Sequence, residues 1–351
     1  MKRIVALSCI CFLLFTSCEK EKNETTGKTR TYYIAAEESE WNYSPSDINL
    51  FTGVNYTDEE LVYLQNDTNR VGKKHIKARY RLYADPGFSI LLSTADDNEL
   101  GILGPVIRAE VGDHITVAFR NRTHFPLSMH PHGVRYDSDN EGITPVDPGN
   151  TFTYQWDVPE TAGPASSDMT SVCWMYHSHV MDNMGKDIYA GLVGPMVVYK
   201  KGALENNKAI DVDAEKFAFF SVFDENESLY LDTNIVHYTN GNVNVDDPDF
   251  QESNKMHSIN GLMFGNQHYT MKASQLVRWY VFALGNEVDW HTAHWHGNTV
   301  TNKDLRTDVV SIGPANMLVA DMKAENAGTW QFHCHVHDHM MAGMDALYTV
   351  Q

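Results

Sequence analysis

A short segment near the C-terminal end, residues 332–344 (FHCHVHDHMMAGM), combines a cysteine with several histidines and methionines. These are side chains that bind soft and borderline transition metals. Successive side chains of a β-strand point to opposite faces, so His333 and His335 would project to one face and Cys334 to the other. The segment can therefore present ligands to two different metal centres at once.

Two further residues complete one of these centres. His339 follows Cys334 by five residues, and Met344 follows His339 by five. Two histidines, a cysteine and a weakly bound methionine are the ligands of a blue-copper electron-transfer site. The missing histidine can come from the run HTAHWHG at residues 291–297. Zinc is the competing metal, but it has no use for a distant thioether, so we predict copper.

The rest of the chain is typical of β structure. Runs of β-branched and aromatic residues are separated by Gly, Pro, Asn and Asp, which is the pattern of strands joined by turns. The clearest runs cover residues 106–111, 115–119, 151–156, 195–199, 217–223 and 276–282. Amphipathic helix patterns are scarce. The sequence therefore predicts an all-β fold of sandwiches or Greek-key barrels.

The chain contains two copies of one unit. Each copy has an early HxHG motif and a late HxH motif, at residues 130–133 and 177–179 and again at 294–297 and 333–335. A polar segment at residues 200–208 separates the copies. We therefore predict two β domains, residues 32–200 and 205–351, a division that suits a chain of 351 residues.

The N-terminus resembles the export signal of a bacterial lipoprotein. Residues 1–18 have a basic start, an apolar stretch at 4–15 that is too short to span a bilayer, and small residues directly before Cys18. We expect Cys18 to become a lipidated first residue, followed by a disordered tether at residues 19–31. The protein would then lie in the bacterial cell envelope, on the periplasmic face or the cell surface. Only its lipid anchor would contact the membrane.

Cysteine usage agrees with this interpretation. Of the five cysteines, Cys9 and Cys11 leave with the signal, Cys18 carries the lipid and Cys334 binds metal. Only Cys173 remains, so we expect no intramolecular disulfide. We predict that Cys173 is a buried small hydrophobe. The formal net charge of −19 argues against nucleic acid as a partner and favours cationic substrates, although it can equally serve solubility alone.

The four HxH pairs supply eight imidazoles, and alternation along a strand aims both members of a pair at one centre. This set resembles the trinuclear copper cluster of the multicopper oxidases, where dioxygen is reduced to water. Residues 32–38, 100–113 and 223–228 also resemble the ceruloplasmin and hephaestin members of that family. Those relatives have six cupredoxin units. The resemblance implies a two-domain member, with two cupredoxin-like Greek-key β-barrels.

The resemblance also assigns copper ligands, for one type 1, one type 2 and two type 3 ions per chain. It implies type 1 copper ligands His291, Cys334, His339 and Met344. It implies type 2 ligands His130 and His294, and type 3 ligands His132, His177, His179, His296, His333 and His335. Ser178 stands where the second copy has its cysteine, so only the second domain would hold type 1 copper.

The same resemblance bears on assembly. Two-domain oxidases close a head-to-tail ring of three subunits, with each cluster between the first domain of one subunit and the second domain of the next. Heterologous contacts close into rings when the rotation permits. We therefore predict a homotrimer with interfacial clusters. The alternative is a monomer with an intramolecular cluster.

Three residues point to the reducing substrate. Asp338 lies beside His339, so its carboxylate can bind a hard cation and pass an electron through the adjacent imidazole. Upstream, Glu252 and His257 are five residues apart and would be ordinary surface residues if seen alone. Ceruloplasmin-like ferroxidases place matching residues around the iron, so the resemblance implies ferrous iron as substrate and dioxygen as acceptor.

Other functions stay open at this point. Cuprous oxidation is favoured by thioethers near the histidine motifs: Met169, Met175, Met181, Met184, Met340 and Met341. Laccase-like oxidation of phenols would need an open apolar pocket beside a type 1 histidine. A copper nitrite reductase would carry its cysteine in the first domain, and a non-enzymatic copper store would lack cluster ligands. We expect no metal at the other histidines: His75, His114, His124, His237, His268 and His337.

Overall fold

The computed structural model describes residues 27–94, 96–181 and 184–351, so the predicted signal and lipidated Cys18 lie outside the described residues. The strands are β1 (Thr29–Asn42), β2 (Lys74–Tyr83), β3 (Ile107–Glu110), β4 (His114–Arg122), β5 (His130–Pro131), β6 (Thr151–Asp157), β7 (Ser171–His177), β8 (Val193–Tyr199), β9 (Leu204–Glu205), β10 (Lys208–Ala209), β11 (Ala214–Asp224), β12 (Lys255–Ile259), β13 (Gln267–Met271), β14 (Leu276–Ala283), β15 (His291–Trp295), β16 (Val300–Asn302), β17 (Leu305–Thr307), β18 (Val309–Ile312), β19 (Met317–Lys323), β20 (Gly328–Cys334) and β21 (Asp345–Val350). The helices are α1 (Asp58–Leu64), α2 (Asp97–Leu100), α3 (Met184–Tyr189), α4 (Leu231–Tyr238), α5 (Pro248–Ser253) and α6 (His337–Met341), with 3-10 turns at Ser138–Asn140, Glu160–Ala162 and Glu225–Glu227.

The strands form two pairs of sheets with the same order in each half of the chain. In the first half the sheets run β2-β1-β4-β6 and β3-β8-β7-β5. In the second half the corresponding strands run β12-β11-β14-β19 and β13-β21-β20-β15, extended at their edges by β16, β17 and β18. Each half also contains parallel pairs at equivalent places, β1 with β4 and β11 with β14. The repeat seen in the histidine motifs is therefore a repeat of topology.

The predicted strand runs all fall on observed strands, namely β3, β4, β6, β8, β11 and β14. Helices are few and short. None of those in the described part of the chain has the length and apolar character needed to cross a bilayer.

The predicted tether at residues 19–31 is too long at its C-terminal end. Strand β1 begins at Thr29 and pairs with β4 from the register Thr29↔His114 onward. The Arg30 guanidinium forms ion pairs with Asp113 and Glu110, which hold this end of β1 against the sheet. Residues 29–31 are polar, so the sequence alone gives no indication of these long-range contacts.

A buried ion pair joins the two halves. The ammonium group of Lys77, on β2, pairs with the carboxylate of Glu225, and both side chains are almost completely buried. Tyr43 donates a hydrogen bond to the same carboxylate, and Lys77 also donates to the carbonyl of Tyr189 at 2.6 Å. Because a charge left alone in such a site would lack both water and a counter-ion, each partner depends on the other.

We therefore expect Lys77→Met to lower the free energy of unfolding by about 3–5 kcal/mol, the usual cost of removing one partner from a buried pair. Urea unfolding of the copper-free protein, followed by tryptophan fluorescence, measures this change. Lys74→Met is the matched control, because Lys74 pairs with Glu40 at 2.9 Å on the surface, where an ion pair contributes about 1 kcal/mol or less. Equal effects of the two substitutions would contradict a structural role for the buried pair.

Candidate metal centre

The register of two strands places the predicted thiolate site. Strand β15 pairs antiparallel with β20, with Ala293 opposite Cys334 and His294 opposite His333. Residues two apart on a strand share a face, so His291 lies on the same face as Ala293 and Cys334. This register selects His291 among the histidines of residues 291–297 and directs His294 to the opposite face.

Helix α6 brings the second imidazole to the cysteine. The Sγ atom of Cys334 lies 3.8 Å from Nδ1 of His291 and 3.7 Å from Nδ1 of His339, and the two nitrogens are 3.1 Å apart. A point equidistant from the three atoms lies about 2 Å from each, within the range of metal bonds to imidazole and thiolate. All three residues are buried. The donor set thus has the composition and spacing of a trigonal copper site.

Met344 is fully buried next to this group of ligands. Its carbonyl accepts a hydrogen bond from the backbone N–H of Cys334 at 3.0 Å, and its own N–H donates to the carbonyl of His339 at 2.9 Å. The methionine is thus held between two of the other predicted ligands.

Asp289 orients one ligand, a role the sequence reasoning missed. Its buried carboxylate accepts a hydrogen bond from Nε2 of His291 at 3.2 Å and from the backbone N–H groups of Val222 and Asn286 at 2.8 and 2.9 Å. A proton on Nε2 leaves the lone pair on Nδ1 free, and Nδ1 is the atom that faces Cys334. The available signal was a carboxylate two residues before His291, on the same side of an extended chain as this histidine.

The four predicted ligands of the first half form one cluster, which we call the first histidine cluster: His130, His132, His177 and His179. The Nε2 atoms of His132 and His177 are 3.0 Å apart, and the rings of His130 and His179 are 4.9 Å apart. His130 and His177 donate from Nδ1 to the carbonyls of Glu141 and Ser178, at 2.6 and 2.8 Å. Their Nε2 lone pairs are therefore available to a metal.

The second histidine cluster contains the four ligands of the other half: His294, His296, His333 and His335. The Nε2 atom of His333 lies 3.1 Å from Nε2 of His296 and 3.2 Å from Nδ1 of His294. His333 donates from Nδ1 to the carbonyl of Cys334 at 2.9 Å, which frees its Nε2 atom. The thiolate site and this cluster are thus joined through one residue of backbone, as strand alternation predicts.

Burial keeps these imidazoles neutral. Desolvation lowers the pKa of His177 to about 3 and the pKa values of His132, His333 and His339 to about 4. A neutral imidazole has the free lone pair that metal binding requires. His132, His177 and His333 are therefore ready to bind metal at neutral pH, where exposed histidines begin to protonate.

The backbone conformation at the last position of each HxHG motif explains why that residue is glycine. Gly133 and Gly297 have φ values of +78° and +73°, a region that L side chains rarely adopt. A Cβ atom at either position would lie 2.2 or 2.6 Å from the ring of Trp174 or Trp330, respectively. Only glycine can adopt this backbone conformation and leave room for the tryptophan ring.

The first half has a hydrogen-bonded group where the second half has its thiolate. Ser178 donates to the buried carboxylate of Asp187 at 2.5 Å and accepts from the backbone N–H of Ser128 at 3.0 Å. Burial raises the pKa of Asp187 to about 7. Cys173 is buried elsewhere on β7 as a free thiol. The position equivalent to Cys334 thus holds a serine hydroxyl that is already hydrogen-bonded, and the lack of a type 1 site in the first half stays a prediction.

In the described part of the chain, no ring contact joins the two histidine clusters, whereas ring contacts link the histidines inside each cluster. Members of both clusters are partly exposed, and His335 is exposed. The eight predicted ligands thus form two surface half-sites of four.

One of the predicted iron residues, His257, contacts a ligand of the thiolate site. The ring of His257 is 5.3 Å from the ring of His339. Asp338 directly precedes His339 on α6 and is exposed. Glu252 lies at the C-terminal end of α5 and is partly exposed. The sequence reasoning missed Tyr63 of α1, whose hydroxyl donates to Glu252 at 3.0 Å and whose ring contacts His257 at 5.7 Å.

Comparison with known proteins identifies the family. Models described as multicopper oxidase match residues 98–203 and 232–351. Solved structures with a similar fold include a blue copper oxidase from Nitrosomonas europaea, with a TM-score of 0.58 and 18% identity over 92% of this chain and 86% of that one. The chain belongs to the multicopper oxidase family, and the predicted cupredoxin-like β fold is confirmed.

Within the family, the chain is similar to ceruloplasmin and hephaestin, as predicted. Human ceruloplasmin is 43% identical over 97% of this chain, and mouse hephaestin is 42% identical over 92%. A human protein named ferroxidase HEPHL1 is 41% identical over 92%. The alignments cover 34%, 29% and 29% of these relatives, respectively, so the chain spans about a third of their length.

Proposed function

We propose that this protein oxidises ferrous iron, taking one electron from each ion, and couples four such oxidations to the reduction of dioxygen to two waters. The observation that carries this proposal is the ring contact between His257, which follows Glu252 by five residues, and His339, which directly follows Asp338. Similarity to relatives named ceruloplasmin and ferroxidase supports it. Four ferrous ions, four protons and one dioxygen yield four ferric ions and two waters.

Each protein group has a defined part in this proposal. Glu252 and Asp338 would bind the substrate cation with oxygen ligands, which stabilise the ferric product more strongly than the ferrous ion. Burial lowers the pKa of His257 to about 4, so this imidazole is neutral and can bind iron. His257 then lies between the cation and His339.

Copper would be held by three groups of residues. We propose that type 1 copper is bound by His291, Cys334, His339 and Met344, and that the two histidine clusters together hold one type 2 and two type 3 ions. Copper bound there supplies one-electron acceptance at the thiolate and multi-electron reduction of dioxygen at the histidines. The protein itself fixes the imidazole tautomers through Asp289 and through backbone carbonyls.

We further propose a head-to-tail homotrimer, in which the first histidine cluster of one subunit faces the second histidine cluster of the next. Two half-sites of four imidazoles on one chain support this arrangement, because each half-site is incomplete alone. A ring requires only that the heterologous contact closes. Export and lipid anchoring at Cys18, with a location in the bacterial cell envelope, remain part of the proposal on the sequence pattern alone.

Substitution of the carboxylates tests the substrate. We expect Glu252→Gln and Asp338→Asn each to raise KM for ferrous iron by about ten-fold or more, equivalent to about 1.4 kcal/mol of binding, because each removes a charged oxygen ligand. Oxidation of a phenolic donor should be unchanged. Oxygen uptake by the copper-loaded protein measures both reactions.

Asp249→Asn is the matched control for this test, because Asp249 is an exposed carboxylate on the same helix as Glu252. Unchanged ferrous kinetics in both site variants, together with efficient phenol oxidation, would exclude iron as the substrate of this site.

Cuprous ion is the second candidate substrate. Met341 lies on α6 with Asp338 and His339, and 59% of its side chain is exposed. A thioether at this position suits a soft cuprous ion. Loss of cuprous but not ferrous turnover in Met341→Leu would favour this function.

A further inference from the structure

Both carboxylate oxygens of Glu252 are already occupied by hydrogen-bond donors. The Tyr63 hydroxyl donates to Oε1 at 3.0 Å, and the Lys255 ammonium donates to Oε2 at 3.1 Å. Burial acts to raise the pKa of Glu252, but these two donors outweigh it and lower the pKa below its ordinary value. A cation that approached this carboxylate would find the positively charged ammonium group of Lys255 already bound to it.

Lys255 contacts both upstream residues of the proposed iron site. Its backbone carbonyl accepts from Nδ1 of His257 at 2.9 Å, which leaves the Nε2 lone pair of that imidazole free. Its side chain holds Glu252 three residues earlier, across the turn between α5 and β12. The backbone of Lys255 thus prepares one proposed iron ligand, while its side chain occupies another.

We propose that the ammonium group of Lys255 is a built-in competitor for the substrate cation, and that Tyr63, from the first half of the chain, is the positioning residue that keeps Glu252 in place when the ammonium leaves. This inference rests on the proposed function, since it concerns the same cation site. Binding of a divalent cation exchanges a single positive charge on Glu252 for a double one. The released ammonium group moves into solvent.

The exposure of this pair suits an exchangeable contact. The side chains of Lys255 and Glu252 are 39% and 46% exposed, and ion pairs with this exposure are weak enough to open readily. Tyr63 differs, because its ring packs edge-on against the buried His257. The contact from Tyr63 is therefore the fixed one, and the contact from Lys255 is the one that a cation can displace.

The chain contains a matched control for this arrangement. Glu40 accepts from Lys74 at 2.9 Å and from the Tyr238 hydroxyl at 2.8 Å, which reproduces the lysine, glutamate and tyrosine contacts of the proposed site. None of the predicted copper or iron ligands takes part in this second triad. Substitutions in this second triad remove the same kinds of contact and leave the proposed iron site unchanged.

Lys255→Met tests the competitor. We expect KM for ferrous iron to fall by about five-fold, the factor that corresponds to about 1 kcal/mol, with kcat unchanged. Anaerobic equilibrium dialysis of the copper-loaded protein with Mn²⁺, an ion that also prefers carboxylate oxygens, should show a similar gain in affinity that Glu252→Gln abolishes. Lys74→Met should change neither measurement.

Tyr63→Phe tests the positioning residue. We expect a rise in KM of about five-fold with kcat unchanged, whereas Tyr238→Phe should have no effect. An unchanged or higher KM in Lys255→Met, or a fall in kcat alone in Tyr63→Phe, would overturn the inference. If Glu252→Gln still raises KM in that case, the proposed function stands without it. If Glu252→Gln alone has no effect on ferrous oxidation, the inference is wrong; if Asp338→Asn also has none and phenol is oxidised efficiently, the proposed function is wrong as well.

Discussion

Mixing two inactive variants is expected to restore about one quarter of the wild-type oxygen uptake, if subunits assemble at random into a head-to-tail ring. One variant, His132→Gln, has a defective first histidine cluster, and the other, His296→Gln, has a defective second one. In the ring, each complete centre takes one cluster from each of two neighbouring subunits. A neighbouring pair is active when both of its contributing clusters are intact, and random assembly gives this combination for about one pair in four.

The structural reason for this expectation is the division of the ligands. His132 and His296 each lie within 3.1 Å of another histidine of their own cluster, and neither contacts the other cluster within the described residues. Both are partly exposed, so a glutamine of similar size should leave the fold intact. Equal amounts of the two variants are dissociated at low protein concentration, reassembled and loaded with copper, and their oxygen uptake with ferrous iron is compared with that of the wild type.

A mixture of His132→Gln with His179→Gln is the control. Both substitutions lie in the first histidine cluster, so no combination of subunits contains an intact copy of it, and the mixture should stay inactive. Sedimentation velocity must show a trimer in every sample. Full activity of a monomeric wild-type protein, or no recovery from the first mixture despite trimer formation, would exclude clusters shared between subunits.

The sequence could predict the fold and the grouping of the histidines because both depend on local periodicity. Alternation along β20 places His333 and Cys334 on opposite faces, as the side-chain period of a strand requires. It could not by itself select His291 among the histidines of residues 291–297. That selection comes from the register of Ala293 against Cys334, which is fixed by pairing between distant segments.

Contacts between distant segments also explain what the sequence reasoning missed. Tyr63 precedes Glu252 by 189 positions and meets it only because α1 packs beside α5. The first residues of β1 lie within the predicted tether because they are polar, and they are held in place by the ion pairs of Arg30 and by pairing with β4. No sequence motif marks a side chain, such as Tyr63, whose role is to position another residue. Such a role can be recognised only from the contacts in the folded chain.

Cys334→Ser is expected to abolish the intense blue absorbance of the copper-replete protein and to reduce ferrous turnover to the level of a copper-free blank. The hydroxyl of serine replaces a soft thiolate with a harder and far less acidic donor, so the strong bond to copper is lost while the volume of the side chain is nearly kept. Cys334 is fully buried, lies opposite Ala293 across the sheet and is within 3.8 Å of both imidazoles, so water cannot take the place of the sulfur without disturbing the core.

Cys173→Ser is the control for this substitution, because Cys173 is the other cysteine among the described residues and is also buried. Burial raises the pKa of the Cys173 thiol, and its Sγ atom donates to a backbone carbonyl at 3.4 Å, so it has no counterpart to the two imidazoles beside Cys334. This variant should keep both the colour and the turnover. Survival of the blue absorbance in Cys334→Ser, or its loss in Cys173→Ser, would show that the thiolate site has been assigned to the wrong sulfur.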